Sequence, residues 1–330
     1  MSNGSVIDIS SGVAQNIGRY FSVISVVPSS LYVIFVYALI TSGSWQHSPN
    51  WSHAFKSLEQ LGLGGVTLLA FLSIALGVII HPAQFALVQF FEGYWGNTRI
   101  AQAIRAQRIL HYQQFCAKLN NKKRHAENQR SQLRKSGVAA PSGRVRPLSV
   151  FSEADRVRDS FPRSFDDIMP TRLGNVLRRT ESQAGSQYGL NALVAVPHIL
   201  MVAPADHVEY VNDQRSQLDL AVRITFMSAL ASATAILFLW HCQFWVFIAI
   251  MPYALAYLSY RGSVVAAGHY GSALDTLINL DRFALYQQLH LELPGRTTEE
   301  RKANKKLTRL FNYDDKANID YQHAISDEED

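Results

Sequence analysis

Three long stretches of the chain contain no Asp, Glu, Lys or Arg, and they dominate its pattern of hydrophobic and polar positions. They run from Tyr20 to Ile40, from Gln60 to Phe91 and from Ile224 to Tyr260. A helix needs about 20 predominantly apolar residues to cross the hydrocarbon core of a bilayer, and each run meets or exceeds that length. The sequence therefore predicts an integral membrane protein.

The third run is too long for a single span, because Ile224 to Tyr260 comprises 37 residues. At about 1.5 Å per residue, one helix of this length would measure about 55 Å, against a hydrocarbon core of about 30 Å. A turn at His241–Gln243 would divide the run into two spans, whereas a single overlong span is the alternative. With this turn, the sequence predicts an all-α, polytopic membrane helical bundle of four transmembrane helices.

The second span is predicted to be kinked near Pro82 and then to continue as one helix to about Lys135, because residues 97–135 contain neither Pro nor Gly. Helices 2–4 are thus expected to extend into a cytoplasmic helical stalk. The predicted divisions are an N-terminal interfacial segment (1–19), a first transmembrane hairpin (20–91, spans at about 20–40 and 61–91), a basic helical region (92–217) with a linker (136–169), a second transmembrane hairpin (218–262), and a helix with a disordered acidic tail (263–330).

Two segments leave alternatives open. Residues 1–19 fit either a short helix lying in the membrane interface or a frayed terminus, and they lack the basic start of a signal peptide, which favours a retained first span over a cleavable signal. Leu190–Val202 is apolar but has only 13 residues and contains Pro197. This length suits a buried core helix or a re-entrant segment better than a span, and we expect a helix packed at the cytoplasmic membrane face.

Charge predicts the orientation. The net charge is only +5, but 19 of the Lys and Arg residues lie between Glu92 and Leu218, whereas the loop between the first two runs carries one, Lys56. Basic residues accumulate on the cytoplasmic side of membrane proteins. The sequence therefore predicts a protein of the cell membrane with the middle region and both termini in the cytoplasm and residues 41–59 outside.

Ionisable residues inside a membrane are usually functional, and the uncharged runs offer His81 and His241. His81 precedes Pro82 and is the candidate intramembrane polar site, with a packed or interfacial imidazole as the alternative. Arg223, at the edge of the third run, is expected to snorkel towards water. The runs hold no carboxylate, which argues against a coupled transporter.

No phosphate-binding loop, nucleophile elbow or zinc motif is present in the sequence. The eleven histidines are scattered, with no two of them three or four residues apart, and the two cysteines have no metal-ligand spacing. The sequence therefore predicts no catalytic residues, no cofactor and no metal, and it does not favour an enzyme.

Two stretches, Met169–Leu200 and Leu258–Pro294, resemble a recurring block and the C-terminal helix of an uncharacterised family of bacterial multipass membrane proteins. The first carries Pro-Thr-Arg-Leu-Gly-Asn at 170–175, Arg178 and Tyr188-Gly189, and the second carries Tyr270-Gly271, Asp281-Arg282-Phe283 and Leu285-Tyr286. Asn191 replaces an acid of the family pattern, and residues 196–199 replace its Trp-Pro-Arg-Leu. The resemblance implies a bacterial cytoplasmic-membrane protein and implies no activity.

The first block is predicted to begin a helix that contacts another part of the protein on the cytoplasmic side of the membrane. Its basic residues could pair with acids of the fourth helix, so that Arg172 or Arg178 would bind Asp275 or Asp281. Together with Asn175, these four residues are the candidate structural or partner contacts.

We expect a non-enzymatic membrane scaffold or signalling component, oligomeric through identical chains, whose cytoplasmic helical region binds a partner protein. The alternative is a channel or pore-forming effector gated from the cytoplasm, in bacterial stress or phage defence. The expected partners are the lipid bilayer and its anionic headgroups, which attract juxtamembrane Lys and Arg. Nucleic acid is not favoured, because residues 118–135 offer no aromatic ring for base stacking other than the imidazole of His125.

Overall fold

The computed structural model describes residues 22–135, 157–314 and 317–322, which form helices, turns and short loops with no strand among them. The predicted interfacial segment at 1–19, the first part of the predicted linker (136–156) and the acidic end at 323–330 lie outside the described residues. The all-α prediction is confirmed for the part of the chain that the structure describes.

Ten α-helices follow one another along the described chain. They are α1 (Val27–Thr41), α2 (Trp51–Glu59), α3 (Leu63–Ile80), α4 (Gln84–Glu92), α5 (Arg99–Lys135), α6 (Arg172–Gln183), α7 (Ala192–Val202), α8 (Ala205–Leu239), α9 (Ile250–Gln288) and α10 (Thr297–Phe311). A π-helical turn, Ser22–Val26, leads into α1, and 3₁₀ turns join α3 to α4 at His81–Ala83 and precede α9 at Gln243–Ala249.

Four segments are long and apolar enough to cross a membrane: Ile24–Thr41, Leu63–Glu92, Ala205–Leu239 and Gln243–Gln288. The predicted hairpin in the third uncharged run is also confirmed, because α8 ends at Leu239 and a turn separates it from the next helical segment. The prediction of four spans therefore holds.

The chain divides into two compact units. Unit 1 comprises Met1–Phe90 and Arg215–Ala266, and unit 2 comprises Phe91–Gln214 and Ala267–Asp330. Both α8 and α9 contribute residues to each unit, and each is a single helix in the structure.

Small residues set the spacing of helices in unit 1. A Cβ atom on Gly77 of α3 would lie 3.1 Å from the backbone oxygen of Ser25 in the π-helical turn, so these two backbones are in close contact. Ser73 is buried one turn before Gly77 on the same face. Small residues four apart allow such an approach between membrane helices, as their spacing in the sequence indicates.

Hydroxyl groups bond across the helices of unit 1. The hydroxyls of Tyr32 in α1 and Thr234 in α8 lie 3.1 Å apart, and Ser232 Oγ donates to the Ala249 carbonyl oxygen at 2.9 Å. Next to these bonds, a cluster of fully or nearly fully buried apolar residues joins α1, α8 and the 3₁₀ turn before α9; it consists of Leu39, Ala235, Leu239 and Ala249. This end of the unit is therefore held by both packing and hydrogen bonds.

The expected continuous helix from the second span to Lys135 is wrong, because α4 ends at Glu92 and α5 begins at Arg99. Gly93 follows with φ of +109°, a conformation that favours glycine. The Thr171 hydroxyl donates to the Glu92 carbonyl oxygen at 2.9 Å, which satisfies one of the carbonyls that a helix end leaves open. The backbone of Gly174 also approaches this carbonyl so closely that a Cβ atom would overlap with it.

Unit 2 packs around a core from the segment after α6, from α7, α9 and α10, and from the first turns of α8, including Ile199, Val211, Leu277, Ile278 and Leu307. Leu274, Leu277 and Leu285 of α9 are buried in this core. The sequence interpretation missed α10 and placed its residues among a helix and a disordered tail. Thr297 with Glu300 and the spacing of Leu307 and Phe311 were the available signals for this amphipathic helix.

Part of the predicted linker is packed. In the described residues 157–169, Phe161 and Ile168 are buried against Tyr112 and Cys116 of α5. Arg158 fixes this segment by donating to Asn120 Oδ1 at 3.1 Å and to the Pro162 carbonyl oxygen at 2.8 Å. Two buried apolar side chains are enough to hold these residues on α5, so this part is not a free linker.

We expect Gly174→Ala to destabilise the protein, because its methyl group would overlap with the backbone at Glu92, and overpacking costs about 1–3 kcal/mol. Gly268→Ala is the matched control, since a Cβ atom there meets nothing within 4 Å and Ala is favoured over Gly within a helix by about 1 kcal/mol. Thermal unfolding of the detergent-solubilised variants should lower the midpoint for the first and leave it equal or higher for the second. A Gly174→Ala protein as stable as wild type would contradict this contact.

Candidate functional site

A fully buried arginine lies at the centre of unit 1. Arg223 of α8 has 0% of its surface exposed. Its Nε–H donates to Gln84 Oε1 of α4 at 3.0 Å, and its Nη1 donates to the Ile24 carbonyl oxygen of the π-helical turn at 3.4 Å. An arginine cannot lose its charge in a protein, so this arrangement places a permanent cation among apolar helices.

Gln84 joins this cation to an acid. Its amide Nε2 donates to the backbone oxygen of Asp219 at 3.1 Å and to Asp219 Oδ1 at 3.5 Å, while its Oε1 accepts from Arg223. Asp219 is 7% exposed and lies one turn before Arg223 on α8. Asp219 and Arg223 are four residues apart, a spacing that places both side chains on the same face of α8.

The Ile24 carbonyl of the π-helical turn is open to Arg223 because of the residue that follows it by one helical turn. In a regular helix the Ile24 carbonyl would accept from the N–H of residue 28, but that residue is Pro28 and has none. Arg223 donates to this carbonyl instead. A proline inside a span is tolerated when a neighbour satisfies the freed carbonyl, and here the neighbour is the buried arginine.

The expectation that Arg223 snorkels towards water is wrong. Its side chain is fully buried because Gln84 and the Ile24 carbonyl provide acceptors inside the unit. Asp219 lies outside the uncharged runs and is also buried. The i, i+4 spacing of Asp219 and Arg223 was the available sequence signal for this pair.

His81, the predicted intramembrane polar site, lies in the 3₁₀ turn between α3 and α4 and is exposed. The buried polar cluster of unit 1 instead uses Gln84, the first residue of α4. Both residues belong to the irregular region around Pro82.

Asn175, a predicted contact residue, is fully buried in unit 2. Its side-chain oxygen accepts from the Met169 N–H at 2.9 Å, and its Nδ2 donates to the carbonyl oxygens of Met169 at 2.8 Å and Thr171 at 2.6 Å. Thr171 caps α6 by accepting from the Gly174 N–H at 2.9 Å. These bonds fix the turn that enters α6, which confirms the prediction that the block at 170–175 begins a helix.

The predicted pairing of Arg178 with an acid of the fourth helix is wrong. Arg178 binds Asp167 Oδ1 at 3.0 Å and Glu181 Oε2 at 3.3 Å, both close to it in the sequence. Burial lowers the pKa of the Arg178 guanidinium, but hydrogen bonds to the two carboxylates raise it, and the net pKa lies above the ordinary value. Both acids lie within eleven residues of Arg178 in the sequence, nearer to it than the acids of α9.

The acids of α9 have other neighbours. Asp281 is buried and its Oδ2 lies 2.8 Å from His207 Nδ1 of α8, so this acid joins α8 to α9 within unit 2. Asp275 is half-buried and interacts electrostatically with Arg179. Arg172 is exposed on α6. Arg179, the residue after Arg178 on α6, is thus the basic residue that interacts electrostatically with an acid of α9.

We expect Gln84→Leu to lower the stability of the detergent-solubilised protein. The substitution removes the acceptor of a buried guanidinium and a donor to Asp219, and hydrogen bonds to charged groups contribute about 1.5–3 kcal/mol each. Gln89→Leu, five residues further along α4 and half-buried, is the matched control with the same change of side chain. Chemical unfolding should separate the two variants, and equal stability would contradict the bridging role of Gln84.

Comparison with known proteins gives no relative from which a function could be transferred. No protein-family model, no curated protein and no solved structure matches the chain. The resemblance of residues 170–178 and 270–286 to a family of membrane proteins therefore stays a prediction. The function must be argued from the geometry of the two units.

Proposed function

We propose that the protein is a multipass membrane scaffold or signalling component, not an enzyme, whose unit 2 lies in the cytoplasm and binds a partner protein. The observation that carries this proposal is that α8 and α9, which contain two of the four candidate spans, also supply the first turns of α8 and the second half of α9 to the packed core of unit 2. A folded helical unit built on membrane helices is suited to hold a partner at a membrane.

The surface for the partner is the basic part of α5. Tyr112 and Cys116 of this helix are buried, whereas Lys118, Lys122 and Arg124 are exposed. A cluster of exposed cations on one helix favours a partner with an acidic surface through complementary charge, and it also speeds the encounter between the two. Anionic lipid headgroups offer the same charge and are the competing occupant.

Assembly of identical chains is part of the proposal. Two of the candidate spans are little buried within one chain. In the most apolar 18-residue stretch of Leu63–Glu92, and in the corresponding stretch of Gln243–Gln288, only 11% of the residues are buried. Lipid or a second copy must cover these apolar faces in a membrane. We infer a homo-oligomer in which a second copy covers part of them, and native mass spectrometry of the solubilised protein would show a single subunit if this inference fails.

The orientation can be tested by reporter fusions. Because basic residues favour the cytoplasmic side, reporters at Ser142 and after Asp330 should be cytoplasmic, and a reporter at Pro49 should be external. Each position is fused to two reporters in turn, one active only inside the cell and one active only outside it. The reporter that is active shows on which side of the membrane the position lies. An external reporter after Asp330 would contradict the proposed cytoplasmic location of unit 2.

Partner binding can be tested by reversing the charge of the α5 surface. The triple variant Lys118→Glu, Lys122→Glu, Arg124→Glu should lose the protein that is cross-linked to wild type in intact membranes, because like charges repel across an interface. The control variant reverses three exposed lysines of α10, Lys302, Lys305 and Lys306, and should keep the partner. Retention of the same cross-linked protein by the α5 variant would overturn the assignment of this surface.

Arg223 favours a second candidate function, an anion channel. A buried cation among apolar helices lowers the cost of bringing an anion into a membrane. If the protein conducts anions, liposomes that contain the wild-type protein should release chloride faster than liposomes without protein. The Arg223→Gln substitution should abolish this difference. Release equal to that of empty liposomes would exclude this candidate and leave the scaffold proposal unaffected.

A further inference from the structure

Unit 2 contains a polar cleft whose lining includes the interacting residues Arg179 and Asp275. Its volume is about 530 Å³, and it opens between α6, the turn after α6, α9 and α10. Small-molecule sites in proteins measure about 300–1,000 Å³, so the cleft is large enough for a small metabolite. Its lining is unusual for its charge, because it includes Arg163, Arg179 and Arg301 against a single carboxylate, Asp275.

Arg179 lines this cleft and carries a donor without a partner. Its Nε is buried and has no hydrogen-bond partner. A buried donor without a partner costs about 1–3 kcal/mol, or more for a charged group. Such a cost is offset when a ligand accepts the hydrogen bond, which makes Arg179 the strongest indication that the cleft is a binding site.

The other side of the cleft is held in place by hydrogen bonds. Arg301 Nε of α10 donates to the Gln187 carbonyl oxygen at 2.8 Å, and Gln187 Nε2 donates to Asn279 Oδ1 of α9 at 3.3 Å. Arg301 therefore uses one of its five N–H donors to fix its position. The remaining donors of a guanidinium held in this way are suited to bind two oxygens of one anionic group.

We propose that this cleft binds a small phosphate ester that also carries hydroxyl groups, such as a nucleoside monophosphate or the headgroup of an inositol lipid. Arg163, Arg179 and Arg301 receive the phosphate, because guanidinium groups match its geometry and charge. The hydroxyl groups of the ester donate to the Asp275 carboxylate. They also form hydrogen bonds with the side-chain amides of Asn279 and Gln187. This inference does not depend on the proposed partner surface, since the cleft and the exposed cations of α5 share no residue.

The ligand class is tested by isothermal titration calorimetry of the full-length protein in detergent, with adenosine 5′-monophosphate, glycerol 3-phosphate and inorganic phosphate as probes. At least one of the two esters should bind more tightly than inorganic phosphate, because the amides and Asp275 add hydrogen bonds to its hydroxyl groups. Arg179→Gln should weaken the affinity at least tenfold, and Arg163→Gln, at an exposed position, should weaken it severalfold.

Arg172→Gln is the matched control, because Arg172 is exposed on the same helix as Arg179 and does not line the cleft. Its affinity should stay within twofold of wild type. Thermal unfolding of each variant without ligand shows that it is folded, and Arg163→Gln keeps the test decisive if Arg179→Gln unfolds. An equal loss of affinity in Arg163→Gln and in Arg172→Gln would overturn the proposal.

A second arm distinguishes a soluble ester from a lipid headgroup. The protein is placed in nanodiscs of phosphatidylcholine with or without phosphatidylinositol, and its unfolding temperature is compared. A rise with phosphatidylinositol in wild type and Arg172→Gln, but not in Arg163→Gln, assigns the cleft to the headgroup. Binding of the soluble esters alone assigns it to a free ligand. If neither arm shows a response that depends on the cleft arginines, the proposal is wrong.

Discussion

The burial of Arg223 is the constraint on which the packing of unit 1 depends. A guanidinium group that is fully buried among apolar helices has to be paired and hydrogen-bonded, because removing one partner of a buried charge costs about 3–5 kcal/mol. Gln84 and the Ile24 carbonyl bring α4 and the π-helical turn to α8, and Gln84 also contacts Asp219. The relative positions of three helical segments are therefore set by one polar cluster in a unit whose other contacts are mostly apolar and non-directional.

Unit 2 uses a backbone contact in a similar way. The turn at 170–175 places a hydroxyl and a glycine against the Glu92 carbonyl, and Asn175 holds that turn with three hydrogen bonds. A helix end leaves carbonyls open, and a buried carbonyl without a donor is costly. The contact therefore both ends α4 and fixes the start of α6, the helix that carries Arg179 into the cleft. The Pro-Thr-Arg-Leu-Gly-Asn sequence has a structural role that needs no catalytic chemistry.

The two units differ in how their charges are used. In unit 1, Arg223 has acceptors within the protein, so its cluster serves packing unless an anion competes for it. In unit 2, Arg282 binds Glu300 at 2.6 Å with both side chains largely buried, and Tyr286 donates to Asn304 at 2.6 Å; these pairs dock α10. The cleft arginines beside them retain donors for a ligand. The basic surface of α5 and the cleft are the two separate places at which we propose that unit 2 binds other molecules.

The sequence by itself determined the features that depend on neighbours along the chain. The uncharged runs predicted four spans, the excess length of the last run required a turn near His241, and the block at 170–175 marked the start of α6. The tertiary structure alone decided the partners of polar groups: Arg223 binds Gln84, which lies 139 positions away in the sequence, and Arg178 binds Asp167 rather than Asp275 or Asp281. It also decided that a helix ends at Glu92, where the composition predicted that it would continue to Lys135. Hydrophobic period and helix propensity are local properties, whereas the partner of a buried polar group depends on which distant segments pack against it.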